Sequence, residues 1–210
     1  MHSLTISLRS AQDDNVNFHK GRYFHQLILE PEKAQETKFV EVSSRNTKAY
    51  KEQATNGIIM LDKEGQEIRD CVQAMMGNLP FFEGIRSEGV QYEVPSIKLI
   101  KGMLWKGKAD IVCKDKLIDL KTTSNIADFK WSARKYNYDS QCYIYQQLFG
   151  LPLEFYEVDK TNMQLGIYKP SEDFLQRGEE KVERAIAVYK KFFQEDSEFD
   201  INEYYVEETL

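Results

Sequence analysis

Asp110 and Asp119 stand nine residues apart, and Lys121 follows the second by two, in the segments Gly107-Lys-Ala-Asp110 and Ile118-Asp119-Leu120-Lys121-Thr122-Thr123. On a strand, a spacing of two places Asp119 and Lys121 on one face. If the two segments pair through a tight turn at Lys114-Asp115, Asp110 reaches the same rim. Two carboxylates converging there suit a hard divalent cation, which takes oxygen ligands from few side chains and completes its shell with substrate phosphate oxygens. An ammonium beside them orients a water, or helps deprotonate it, and offsets phosphate charge. Alone, Asp-Leu-Lys is more often an ordinary half-exposed strand, and a lone Asp110 is more often a turn or strand-edge residue. Gln141 and Tyr145, four apart, share a helix face. Their amide and hydroxyl suit hydrogen bonds to a phosphate or an active-site side chain; amphipathic packing is the plainer alternative.

These groups need elements to hold them. Helical spacing predicts a helix over 17–29, ended by Glu30-Pro31, and another over 62–76, capped by Asp62 and stopped by Gly77-Asn78. A short strand is expected over 38–42. Short runs rich in β-branched and aromatic residues predict strands over 89–94, 96–105, 108–113 and 116–121. A helical or loop region follows from Thr122 through Trp131. A helix over 138–149 ends at Gly150, strands over 153–158 and 163–168 form a hairpin, and a helix over 171–194 is capped by Ser171. Strands framed by helices indicate an α/β fold.

The chain has 210 residues, 41% of them hydrophobic and 12% aromatic, which is ample for a packed core. No apolar run approaches the roughly 20 residues of a membrane helix, and the first residues do not read as a signal peptide. A cytoplasmic location is expected. Cys71, Cys113 and Cys142 are scattered, so neither a disulfide framework nor a zinc or iron–sulfur centre is expected. Net charge is −6, yet residues 98–135 hold ten Lys/Arg against four Asp. That basic middle suits a polyanion or, equally, a solvated strand face. Lys106, Lys108, Arg134 and Lys135 are candidates to follow phosphates. Trp105, Trp131 and Tyr136 are candidates to stack on unpaired bases, although core packing is the commoner use of such side chains.

Taken together, Gly-x-x-Asp110, Asp119-x-Lys121-Thr-Thr and Gln141-x-x-x-Tyr145 resemble the motifs of the PD-(D/E)XK nuclease superfamily, in its RecB-like branch. The stretch from Lys135 to Tyr145 is similar to exonuclease-VIII-type (RecE-like) phage enzymes. Residues 21–32 resemble the segment where those proteins carry an N-terminal helix with a metal-binding His. The resemblance implies a restriction-endonuclease-like α/β core, a central mixed β-sheet flanked by helices. One nuclease domain over 1–210 is expected, with an acidic tail from about residue 195.

The resemblance also implies Mg2+ or Mn2+ held by His25, Asp110, Asp119 and the backbone carbonyl of Leu120. It makes Lys121 the catalytic lysine, with Gln141 and Tyr145 supporting the site. A lone His on an amphipathic helix is otherwise more often packed or solvent-facing. Many relatives have Glu where Asp119 stands, and the shorter side chain reduces its reach. The implied activity is metal-dependent DNA hydrolysis, exonucleolytic, in phage or prophage recombination and repair. Implied partners are DNA, a single-strand annealing protein and further copies of the chain in a ring. Two other readings remain: a catalytically inactive DNA-binding module of the same fold, and a phage interaction protein.

Overall fold

The structure, a computed structural model, describes residues 15–55 and 57–193; the acidic tail expected from about residue 195 lies outside them. In chain order these residues form α1 (Val16–Leu29), α2 (Pro31–Ala34), β1 (Phe39–Val40), α3 (Lys48–Gln53), β2 (Met60–Leu61), α4 (Asp62–Gly77) and α5 (Leu79–Ile85). Then come β3 (Gln91–Ile100), β4 (Met103–Val112), β5 (Leu117–Thr123), a 3-10 turn (Ile126–Asp128), α6 (Phe129–Lys135) and α7 (Tyr138–Phe149). β6 (Leu153–Asp159), β7 (Leu165–Tyr168) and α8 (Glu172–Phe193) complete the order.

The main sheet runs β3-β4-β5-β6-β7. Neighbours are antiparallel except β5 and β6, which are parallel. A parallel pair needs a crossover, and here α6 and α7 supply it. One face of the sheet is covered by α1, α4 and α5, whose Phe24, Ile28, Ile68, Met75 and Ile85 meet Ile111, Ile118, Leu120, Tyr156 and Val158. The other face meets α6 and α7 through Phe129, Ala133 and Cys142, packed on Ala109, Leu117 and Phe155. With both faces covered, every residue of β6 is buried. Burying each large apolar side chain contributes about 1.5–3 kcal/mol. This is the mixed sheet flanked by helices that the motifs implied.

Several boundaries differ from the sequence reading, each for a physical reason. The stretch 96–105 is not one strand. It turns at Lys101-Gly102, where φ is +49° and +77°, so β3 and β4 form a long hairpin. Two positive φ values in succession make the tight turn that follows strand twist, and Lys-Gly is a less recognisable signal for it than Asn-Gly. Asp62 does not cap α4. It is the first helical residue, and Glu64 accepts instead from the backbone N–H of Leu61 at 2.9 Å. The sequence reading missed α3, α5 and β2, which are short or lack clear periodicity. Trp105 packs beside Ile100, Tyr143 and Val182, so it is not a stacking platform. Ser171 does cap α8, its hydroxyl accepting from Phe174 N–H at 3.2 Å, and all three cysteines are buried and free. No described helix is long and apolar enough to cross a membrane.

Candidate active site

β4 and β5 are joined by the Lys114-Asp115 turn, with Cys113 N–H donating to Lys116 O at 2.8 Å. Their ladder pairs Val112 with Leu117 and Ile111 with Ile118 and extends no further. Asp110 and Asp119 stand where it stops. There the N–H of Leu120 donates to Asp110 Oδ2 at 2.9 Å, so a carboxylate takes the place of a backbone acceptor. Across the other edge of β4, Glu93 interrupts β3 with φ +55°, an uncommon conformation for a residue with a side chain. At this level the alternation of β4 slips. Ala109 packs toward α7, while Ile111, two residues on, packs toward α1.

Helix α1 brings His25 to the same place. Its Nε2 donates to the carbonyl of Leu120 at 2.9 Å, and its Nδ1 lies 3.4 Å from Asp110 Oδ1. Both ring nitrogens thus face acceptors, the arrangement of an imidazolium. Burial works against that charge, but the Asp110 and Asp119 carboxylates outweigh it and hold His25 above its usual range. Burial likewise works to raise Asp110; His25, Lys121 and the Leu120 N–H overcome it and hold this carboxyl low. Asp119, 4% exposed, is driven the other way, up, by burial together with the Asp110 charge, against the pull of Lys121.

Lys121 is ion-paired with Asp119, and its ammonium lies 4.9 Å from the ring centroid of Tyr138 and 5.9 Å from that of Phe155. Burial opposes its charge, but Asp119 and Asp110 raise it above its usual range. From α7, Gln141 Nε2 donates to Asp119 Oδ1 at 2.5 Å. Tyr145, one turn on, donates to the carbonyl of Lys108 at 2.9 Å and so ties α7 to β4 beside Asp110. His25, Asp110, Asp119, Leu120, Lys121 and Gln141 therefore form one connected set, and Tyr145 braces it from β4.

The donors suit a divalent cation. The Asp110 carboxylate and the His25 ring meet at the Leu120 peptide, and Asp119 Oδ2 is buried against the Lys121 ammonium; carboxylate, carbonyl and imidazole donors are those such a cation takes. Sequence reasoning missed Glu93. Its carboxylate lies within 4.8 Å of donor atoms of His25 and Asp110 and is ion-paired with Lys108. It is the sole acid of β3, but no local spacing ties it to Asp110.

A second missed acid is Glu157, paired in register with Lys121 across β5 and β6. It is 1% exposed, and its Oε2 has no hydrogen bond. Burial, with Asp159 nearby, pushes its carboxyl up to about 8, against the pull of Lys121. The folded chain then holds this proton to higher pH than the unfolded chain does. Stability should be greatest below the unfolded value of about 4.3 and fall as pH rises toward 8. In urea titrations we expect the wild type to lose about 1–2 kcal/mol between pH 6 and pH 8, and Glu157→Gln to lose markedly less. Identical pH dependence in both proteins would rule out Glu157 as the responsible group.

The family described as a PDDEXK-like domain of unknown function (DUF3799) matches residues 5–203. Among solved structures, a protein from Eubacterium rectale described as a "putative exonuclease" superposes over 83% of this chain with a TM-score of 0.63 and 18% identity. The chain spans 66% of that protein's length, and at this identity the likeness is one of fold. Another structure, SSO0001, is 14% identical over 81% of this chain and 86% of its own, with a TM-score of 0.37 that is too low to bear on the fold. No curated protein matches.

Proposed function

The chain belongs to the PDDEXK-like domain family, within the PD-(D/E)XK nuclease superfamily, and from that premise we propose that it is a metal-dependent deoxyribonuclease. The observation that carries this reading is the meeting of His25 and Asp110, from a helix and a neighbouring strand, at the Leu120 peptide, with the ion-paired Asp119 and Lys121 on either side of it in the chain. His25, once it gives up its proton to the solvent, would join Asp110, Asp119 and the Leu120 carbonyl in holding Mg2+ or Mn2+, with Glu93 extending the donor set. Bound there, such an ion would supply the charge that polarises a scissile phosphate and acidifies a water.

The other steps fall to the chain. Lys121, held by Asp119 and the Tyr138 ring, donates to the attacking water and offsets charge on the phosphate. Gln141 fixes the Asp119 carboxylate through its 2.5 Å hydrogen bond. Tyr145 fixes β4 and hence the position of Asp110. A carboxylate locked in one orientation loses less freedom on binding an ion, which is the use of such supporting contacts.

We assign the activity to one domain over 1–210 and to exonucleolytic trimming of DNA ends in phage or prophage recombination and repair. The structural neighbour's description as a "putative exonuclease" supports the exonucleolytic part of this assignment alone. An annealing partner and a ring of copies remain part of the proposal. Linear and circular DNA should be incubated with Mg2+, Mn2+ or EDTA. Linear DNA is expected to shorten with either metal, circular DNA to survive, and both to survive in EDTA. Cleavage of closed circles would replace exonuclease with endonuclease action. Binding without hydrolysis under any metal would leave only a DNA-binding module.

A further inference from the structure

Phe155, against which Lys121 rests, has a second role. It is also a wall of a cavity of about 200 Å3 between α6, the β6–β7 pair and the first turns of α8, and Lys121 does not line that cavity. The apolar walls are mainly rings, of which Phe129 and Phe155 are buried and Tyr168 and Phe174 partly exposed, with Ala133 and Pro170 between them. Phe129 lies 4.4 Å from Tyr168 and 5.7 Å from Phe155, centroid to centroid, and Phe174 closes the α8 side.

The polar lining is Ser171 and four cations, Lys130, Arg134, Lys169 and Arg177, with no carboxylate. Lys169 is taken up by Glu154 at 3.1 Å. The other three are placed by aromatic faces instead: Lys130 and Arg134 over Trp131 at 5.2 and 5.6 Å, and Arg177 over Phe174 at 5.7 Å. Among the described residues none of these three is ion-paired with a carboxylate, and Arg177 Nε is buried without a hydrogen-bond partner.

An aromatic slot ringed by uncompensated cations matches a ligand that is flat and apolar at one end and anionic at the other. Base stacking on rings and guanidinium–phosphate pairing are the two halves of nucleotide recognition. The size is selective as well. Drug-sized ligands occupy roughly 300–1,000 Å3, so this space accepts one base. A base stacked on both sides within a duplex has no free face to offer. We propose that the cavity holds one nucleotide of a single-stranded DNA segment, beside the phosphate that Lys121 would meet. The inference rests on the nuclease reading for its ligand and deepens it by naming an unpaired strand as the substrate at this site.

The test is binding of a fluorescein-labelled oligothymidylate to the full chain in EDTA, read by anisotropy across a salt series. Arg134→Gln/Arg177→Gln should bind roughly tenfold more weakly, with a salt slope shallower by about 1.4, since each phosphate contact on a single strand contributes about 0.7. Phe174→Ala should weaken binding while leaving the slope unchanged, because stacking releases no counterions. Arg134→Gln alone, on the exposed side of a helix, keeps the test open if the double variant fails to fold. Unchanged affinity and slope in the arginine variants, or an equal loss for a blunt duplex, would overturn the proposal. Should no metal support cleavage while oligothymidylate binding still depends on Arg134 and Arg177, the nuclease reading falls and the pocket stands.

Discussion

Lys121→Gln is expected to cut linear DNA about 10²–10³-fold more slowly than the wild type in Mg2+, while binding the same DNA within a few-fold. The size follows from what the side chain does. A positioned donor aimed at developing charge in a water-poor site is worth about 10²–10³ in rate. Lys121 is such a donor, kept charged by Asp119 and steadied by the Tyr138 and Phe155 rings.

The structural cost must be separated from the chemical one. Removing one partner of a buried ion pair costs about 3–5 kcal/mol when the other stays charged. Burial and Asp110 already drive Asp119 toward its neutral form, so it can take up a proton once Lys121 is gone. Glutamine also retains a donor for it, which is why Gln is preferred to Ala. Thermal melts should show a folded protein with its fold intact. Asp119→Asn should be equally inactive for a different reason, loss of metal uptake, and calorimetry with Mn2+ should show weaker binding than in Lys121→Gln. Undiminished cleavage by either variant would remove the site from consideration.

Gly178→Ala, far from any reacting atom, should destabilise the protein by about 2–3 kcal/mol and lower its melting temperature by about 5–10 °C. Gly178 lies in α8, where an added Cβ would sit 2.1 Å from the carbonyl oxygen of Asp139 and 2.5 Å from its carbon. Both are backbone atoms of the first turn of α7, so no side-chain rotation relieves the overlap and the helices must separate. The gain of about 1 kcal/mol that Ala brings to a helix interior offsets only part of this.

Separation would also disturb Asp139, 1% exposed and ion-paired with Lys181 of α8 at 2.7 Å. Because α7 carries Gln141, loss of activity should accompany loss of stability. Gly21→Ala is the matched control. It lies in α1 with nothing within 4 Å of the added carbon, and should stabilise by about 0.5–1 kcal/mol. The same atom added to two helices should thus act with opposite signs. Equal effects at both positions would mean that the α7–α8 contact is not the tight one described.

The sequence alone determined the parts of the site that depend on a local period. Asp119 and Lys121 share a face because a strand repeats every two residues, and Gln141 and Tyr145 share one because a helix repeats every 3.6. Asp110 joins them through a two-residue turn, which is still local. The helix over Tyr138–Phe149 and its stop at Gly150 were legible for the same reason. The family resemblance named His25, but its contact with Asp110 across 85 residues of chain is made by tertiary structure, which alone decided that Glu93 and Glu157 stand beside the set and that Phe155 separates Lys121 from a basic, ring-lined slot. None of those contacts follows from spacing. They depend on how the faces of the sheet are covered and in what order its strands lie, and such packing is set by summed burial over the whole chain rather than by any short segment.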